Sequence, residues 1–382
     1  FFIMAGTMVT TNIVQTAVAM GLAALREHIV LPKIVNRSYE ERIGPGQRQG
    51  STVNVAVPSA ITTRSVTADV VPPAVTAVTP TSVAISLSEW KEAPFAMSDQ
   101  AISQVQRAII PTQMTEAVKS IANTIDNYIW SLLTAAENPI YGFSGTAGTT
   151  PFASNTSQYL DARAVLNNQL APLDNRFVIL DADAEANALG LSAFADASAS
   201  GSRETIVEGD VGYRLGARWL MSQNVPTHST TGAGTVLVND ASTAVGDTTL
   251  TWDGGGTAPA AGDIFTVAGD TQTYAVKSST ATVITMSPSA QVAWADDAAV
   301  TFKSDYVENV VIHRDCIGFA MAPLLETEQF SGGSLQATAV DEDSGLALRL
   351  EVTRQYKQYQ WAFDALYGGA VVRPELAAFI AG

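Results

Sequence analysis

The chain has 382 residues, of which 47 % are apolar and only 15 % charged, and its formal net charge is −16. The apolar share specifies packed cores and excludes a disordered chain, while so few charges point to surface hidden against partners. No Lys/Arg run accompanies the acidity, which excludes the basic footprint of a sequence-specific DNA binder and suits either simple solubility or a container whose wall must not grip the duplex at every subunit.

Residues 10–30 read as a helix. Thr11 or Asn12 can cap it, Val14, Val18, Leu22, Leu25 and Ile29 recur at helical spacing, and Pro32 is expected to end it. A polar loop with Gly44, Pro45 and Gly46 follows. Two alternating runs come next: Val53, Val55 and Val57 share one face, and so do Val83, Ile85 and Leu87. Pro72, Pro73 and Pro80 interrupt the stretch between them. The pattern is a long extended hairpin with one apolar face. A lone two-stranded hairpin is marginal in water, and no helix close in sequence covers this one. Its apolar face must lie on the chain's own body or on a neighbouring copy, which makes these six residues candidates for a subunit interface.

The strongest helical signal runs over residues 98–137. Ser98 or Asp99 can cap it, Ile102, Val105 and Ile109 lead in, and Met114, Val118, Ile121, Ile125, Tyr128 and Leu132 step by three and four. Pro111 kinks it or starts its second part, and from Pro111 to Glu137 it would span on the order of 40 Å. Short helices are expected over 158–170 and 182–189, a buried strand over 177–180, and strand-like runs between Glu208 and Pro226. From Thr227 to about Ser304 no Arg occurs and six short strand runs follow, 235–238, 248–252, 264–267, 272–276, 282–286 and 299–302, spaced by Gly-Asp and Gly-rich turns. That spacing predicts a small all-β barrel or sandwich inserted in a larger domain. Beyond it, an apolar strand follows Cys316, and strand runs are expected over 346–355 and 359–367. Gly368-Gly369 and a short tail helix from Pro374 complete the pattern.

Catalytic constellations are missing from the pattern. There is no Gly-Lys-Ser/Thr, no HExxH and no CxxC, so no phosphate loop or standard zinc site is expected. His28, His228 and His313 are far apart and read as surface or packing residues. His313-Arg314-Asp315 imitates a kinase catalytic loop, but Ala320 stands where the Asn is needed. The single cysteine, Cys316, can form no internal disulfide and reads as a small core residue rather than a nucleophile. The acids Asp181, Asp183 and Glu185 open a helix, where they offset its dipole; Asp341, Glu342 and Asp343 occupy a polar loop, and a divalent cation at either is the less ordinary alternative. No transmembrane run or signal peptide is visible, and neither an enzymatic role nor a cofactor or metal is expected.

Several stretches, in order along nearly the whole chain, carry a resemblance. They are Leu25-Arg26-Glu27 through Ile34-Val35-Asn36-Arg37-Ser38-Tyr39-Glu40, then Gly50-Ser51-Thr52-Val53-Asn54-Val55 and Val57-Pro58. Ala171-Pro172 with Arg176-Phe177-Val178-Ile179-Leu180 follows, then Gly209-Asp210-Val211-Gly212 with Gly216, Ser222 and Val225-Pro226-Thr227-His228. Ala261-Gly262-Asp263-Ile264-Phe265-Thr266-Val267-Ala268-Gly269 lies in the β-rich insert, and Asp364-Ala365-Leu366-Tyr367-Gly368 with Arg373-Pro374-Glu375-Leu376-Ala377 closes the series. Together they resemble the major capsid proteins of tailed phages with the Hong Kong 97 (HK97-like) fold. Among these, the podovirus-type coat proteins with an inserted β-barrel are the nearest in pattern. In the family a basic residue often precedes the Asp-x-Leu-Tyr-Gly stretch, whereas Trp361, Ala362 and Phe363 stand there here.

The resemblance implies an α+β, HK97-like capsid fold. Its parts would be an N-terminal arm (1–46), an E-loop hairpin (47–97) and a peripheral domain with the spine helix (98–175). Next would come a first part of the axial domain (176–225), an inserted β-barrel (226–305), a second axial part (306–345), and returning peripheral strands with the C-terminal tail (346–382). It implies a major capsid protein that self-assembles, as hexameric and pentameric capsomers, into an icosahedral shell around a double-stranded DNA phage genome. Scaffolding and portal proteins would be partners, the DNA would be enclosed without sequence preference, and no membrane would be involved. Assembly is expected in the host cytoplasm, with the product in the virion capsid. Two other readings fit the residues: a nanocompartment shell of the same fold around protein cargo, and a secreted β-rich adhesin.

Overall fold

The computed structural model describes residues 16–23, 25, 30–38, 52–57, 63, 81–104, 109–134, 142–196, 209–232, 234–239, 243–253, 257–324, 334–340 and 346–382. In chain order the elements are α1 (16–23), α2 (Leu31–Ile34), β1 (Thr52–Val57), β2 (Thr81–Ser86), β3 (Glu89–Ser98), α3 (Asp99–Gln104), α4 (Ile109–Leu133), β4 (Gly142–Gly145), α5 (Ser157–Asn168), β5 (Arg176–Leu180), α6 (Ala182–Gly190), α7 (Ser192–Ala195), β6 (Tyr213–Arg214), β7 (Ala217–Met221), β8 (Thr227–His228), β9 (Thr235–Leu237), β10 (Thr249–Thr251), β11 (Ile264–Val267), β12 (Thr273–Ser279), β13 (Val283–Ser287), β14 (Ala299–Phe302), β15 (Tyr306–His313), β16 (Ile317–Ala322), β17 (Ser334–Val340), β18 (Ala347–Gln355), β19 (Gln358–Val371) and β20 (Ala377–Ala381). They form two compact units, one from Phe1–Leu22, Arg37–Pro111 and Gly318–Val372, the other from Ala23–Asn36, Thr112–Ile317 and Arg373–Gly382.

The first unit holds the β1–β2 hairpin and a five-stranded sheet, ordered β16-β19-β18-β17 with β3 also on β19. Leu348 and Leu350 of β18 and Phe363, Ala365 and Tyr367 of β19 share one face, and the sheet is buried on both faces here, since Ala347–Leu350 and Trp361–Ala365 are buried without a break. β3 was not expected. Its alternating apolar residues are only Ala93, Phe95 and Met97, with Glu89, Lys91 and Glu92 before them and Pro94 among them. A proline is tolerated because, among the described residues, β3 pairs with β19 alone. Across the other face, Arg349 pairs in register with Asp364 and donates from Nε to Oδ2 at 3.2 Å, both side chains buried.

The second unit is built on a seven-stranded sheet, β4-β20-β15-β5-β7-β6 with β8 on β15. α5 covers β4 and β20, burying Tyr159, Ala162 and Leu166. Its end is held by Arg176, whose guanidinium donates to the carbonyls of Pro172 at 2.7 Å and Ala171 at 2.8 Å. In α4 the residues Val118, Ile121, Ile125, Ile129, Trp130 and Leu133 are buried, one helix face as the spacing requires. α4 has 25 residues, about 37 Å of helix. Pro111 lies two residues after the first described residue of α4. Residues 105–108 and 135–137 of the expected long helix lie outside the described residues.

Within this unit the chain from β9 to β14 forms an antiparallel sheet ordered β10-β13-β12-β11-β14-β9. All six strands fall where the alternating runs put them. The two edge strands also meet: Val238 bridges Trp252, Asn239 N donates to Thr251 O, and Asp253 N donates to Leu237 O, both at 2.9 Å. The sheet's interior holds Trp252, Phe265, Tyr274, Ile284, Trp294 and Val300.

One expectation is corrected. The segment after Pro374 is a 3-10 turn (Pro374–Leu376) followed by a strand, β20, and not a tail helix. All five residues of β20 are buried because it runs between β15 and β4 inside the sheet, so a continuous apolar run carries no helical period. Pro32, expected to end the first helix, sits in the first turn of α2, where its fixed φ is suited, and residues 26–29 at the expected end of the first helix lie outside the described residues.

Candidate assembly surfaces

β1 and β2 pair antiparallel, with Val53 opposite Ile85, Val55 opposite Val83 and Val57 opposite Thr81. The alternation puts the valines of β1 and the apolar residues of β2 on one face, as read from the sequence. Val55 is 5 % exposed and Ile85 fully buried; Val53, Val57, Val83 and Leu87 are half-buried. The cover comes from strands far away in sequence, through Ala320 of β16, Ala370 of β19 and Val372 just beyond it. Gly368 sets how closely β2 approaches: a Cβ there would overlap the Ser86 carbonyl. Of the two places open to the apolar face, the described root of the hairpin takes the chain's own body. Residues 58–62 and 64–80 of the span between the strands lie outside the described residues.

The outward face of α4 is the second feature. Gln113, Glu116, Ser120, Asn123, Asn127 and Ser131 are exposed and follow one another by three and four residues. Only Glu116 in that stripe is charged, whereas a freely solvated helix face ordinarily carries many Lys and Glu residues. Large aromatic groups are also exposed: Trp90 on β3 is 63 % exposed, and Tyr356 at the β18–β19 turn is 86 % exposed.

The residues with nominal catalytic chemistry are occupied in structural work. His313 Nδ1 accepts the Asp315 amide at 3.2 Å and caps a 3-10 turn, and the Asp315 carboxylate accepts from Asn36 Nδ2 at 2.7 Å. Burial lowers the His313 pKa, favouring the neutral ring. Cys316 is fully buried and burial pushes its thiol well up, which holds it as an inert SH group. Asp181 caps α6, accepting the Asp183 amide at 3.1 Å. Among the described residues no group of His, Cys, Asp or Glu is arranged to hold a metal ion, and no helix is long and apolar enough to cross a membrane. The acids at 341–343 lie outside the described residues.

Comparison with known proteins gives the family of the chain. The family described as phage capsid protein matches residues 80–292, more than half of the chain. The chain belongs to the phage capsid protein family. Its fold is shared with a structure from Mycobacterium phage Che8, at 16 % identity and a TM-score of 0.51, covering 92 % of this chain and 90 % of that one. It is likewise similar to the capsid structure of cyanophage P-SCSP1u, at 11 % identity and a TM-score of 0.50, covering 92 % and 88 %. No curated protein matches the chain. This phage capsid protein is therefore a structural, shell-forming protein of the virion with a capsid-type α+β fold, and it acts by association with copies of itself.

Proposed function

We propose that this capsid protein forms the icosahedral shell of a tailed double-stranded DNA phage in the HK97-like manner. The observation that carries the reading is the capsid family match, which runs from the end of the hairpin through α4 and most of the β-rich insert. In this reading 1–46 is the arm, 47–97 the E-loop, 98–175 and 346–382 the peripheral domain, and 176–225 and 306–345 the axial domain. The span 226–305 is an inserted barrel, a reading supported by the contact between its two edge strands.

The hairpin would reach over a neighbouring subunit and lie along the sparsely charged stripe of α4. Burying Gln, Asn and Ser side chains under an extended segment costs far less than burying unpaired charges, because amides and hydroxyls exchange water for backbone hydrogen bonds. Val53, Val57, Val83 and Leu87 are candidates for direct contact. Val55 and Ile85 would act by seating the hairpin's root on its own subunit. Hexameric and pentameric capsomers, scaffolding and portal proteins as partners, and assembly in the host cytoplasm complete the proposal. With a net charge of −16 the wall would repel a packaged duplex more than grip it.

Nuclease treatment of purified particles tests the contents. Nuclease-resistant double-stranded DNA inside the shell is the expected result. Particles that enclose protein cargo and no nucleic acid would replace this reading with that of a nanocompartment.

A further inference from the structure

The β-rich insert leaves the main sheet after β8 and returns at the first residue of β15, where His228 and Tyr306 are register partners. At this root His228 Nε2 lies 2.8 Å from Asp263 Oδ1, and His228 Nδ1 lies 3.7 Å from Glu308 Oε1. Asp263 belongs to the insert, at the turn entering β11, and Glu308 belongs to β15 of the main sheet. One imidazole thus stands between a carboxylate of each part, and their side chains are 12 %, 0 % and 2 % exposed for His228, Asp263 and Glu308. The Tyr306 ring lies against the imidazole with centroids 5.1 Å apart, and its hydroxyl donates to the Gly262 carbonyl at 2.9 Å. Gly262 is required there: its φ is +96°, and a Cβ would come 2.9 Å from His228 Cε1.

The two carboxylates differ in their support. Asp263 Oδ2 accepts the amides of Gly232, Ala260 and Thr231 at 2.7, 2.9 and 3.1 Å. Glu308 has His228 as its charged neighbour, and its Oε2 is buried with no hydrogen-bond partner among the described residues. Burial pushes the Glu308 carboxyl up to about 7, with His228 opposing the shift. Among the described residues, no Lys or Arg acts on Glu308. β20 sets Ala381 opposite Glu308, β8 adds Thr227, and Tyr306 is a phenol held neutral by burial and by both carboxylates. Lys303 and Asp305 line an open cleft with Thr230 and Gly232, and Asp305 accepts the Thr230 amide at 2.8 Å. That cleft brings solvent, and so protons, next to the amides that hold Asp263.

We propose that His228 and Glu308 form a proton-operated latch fastening the insert to the main sheet, with one shared proton linking Asp263 to Glu308 through the imidazole. The proton resides on the ring, giving an imidazolium between two carboxylates, or on Glu308 beside a neutral ring. Its loss leaves two buried carboxylates separated by a neutral ring, and the junction then opens toward water. Because Glu308 holds its proton more tightly in the closed junction than in water, closure is at full strength on the acid side. It is lost as pH rises through about 7.

Hydrogen exchange on the full chain, from about pH 5.5 to about pH 8.5 and normalised for intrinsic rates, reads the latch through the amides that hold Asp263. Protection at Thr231, Gly232 and Ala260 is expected to fall about tenfold as pH rises across neutrality, while Trp252 and Met286 inside the insert hold steady. Glu308→Gln replaces the acid with a neutral group of the same shape and should keep the latch closed with a flat pH profile. His228→Gln should lower protection throughout. A flat wild-type profile, or a Glu308→Gln variant with the wild-type slope, overturns the proposal. The wild-type profile decides alone if a variant does not fold.

Discussion

Replacing Val55 with aspartate tests whether the hairpin root is seated on its own chain. Val55 and Ile85 pack with Ala320 and Val372, and both are buried. A carboxylate left there without a partner costs several kcal/mol. Lifting the root off instead exposes Ile85, at about 1.5–3 kcal/mol for a fully buried branched side chain. The second cost is the smaller, so the root lifts. The closed state also loses what Val55 contributed, about 1.5–3 kcal/mol, which is a tenfold to hundredfold loss of protection for the β1 and β2 amides. The β17–β18–β19 ladder contains neither strand and should keep its protection. Hydrogen exchange with mass-spectrometric readout of the full chain resolves the two regions. Protection of β1 and β2 within about twofold of wild type, a change of only about 0.4 kcal/mol, would refute the seating. So would a loss shared equally by β18 and β19. Val53→Asp is the companion variant: Val53 is half-buried, so its own strand should stay protected while assembly fails if it meets a neighbour.

Arg349→Met leaves Asp364 buried and unpaired and should destabilise the first unit by about 3–5 kcal/mol. Replacing both with apolar residues should recover most of that loss in chemical denaturation. Asp270 accepts the Tyr274 hydroxyl at 2.6 Å, Trp294 Nε1 at 3.1 Å and the Gln272 amide at 2.8 Å, and Asp270→Ala orphans all three donors. A loss of about 2–4 kcal/mol confined to the β-rich insert is expected, read by exchange at Tyr274 and Trp294. Asp126 of α4 accepts the amides of Val30 and Leu31, both at 3.3 Å, and burial pushes its pKa from 3.8 up to about 6. Its stabilising share is present below about pH 4 and lost as pH rises through about 6. Thermal melts of Asp126→Asn should therefore flatten with pH over that window.

What could be read from residues alone followed from local periodicity. The six strands of the insert and the buried face of α4 announce themselves at periods of two and about 3.6. β20 and β3 did not. β20 is buried on every side, so it has no alternation, and β3 has an interrupted pattern whose meaning lies in its partner β19. The hairpin's apolar face was legible in Val53, Val55, Val57, Val83, Ile85 and Leu87. Its cover was not, because Ala320 and Val372 are more than 200 residues away from it and no local signal links them. The His228 cluster was invisible for the same reason: His228, Asp263 and Glu308 meet only once the insert folds back on its root. Gly262 gave a faint hint, as a Gly-Asp turn, but nothing tied it to a histidine.

The central claim is that this chain forms closed shells from its own copies, and electron microscopy tests it most directly. The full chain, expressed alone and with its neighbouring phage genes, should yield closed particles of uniform size, and Val53→Asp should reduce their yield without unfolding the subunit. A chain that stays monomeric under every condition, including with a scaffolding protein present, would contradict the claim.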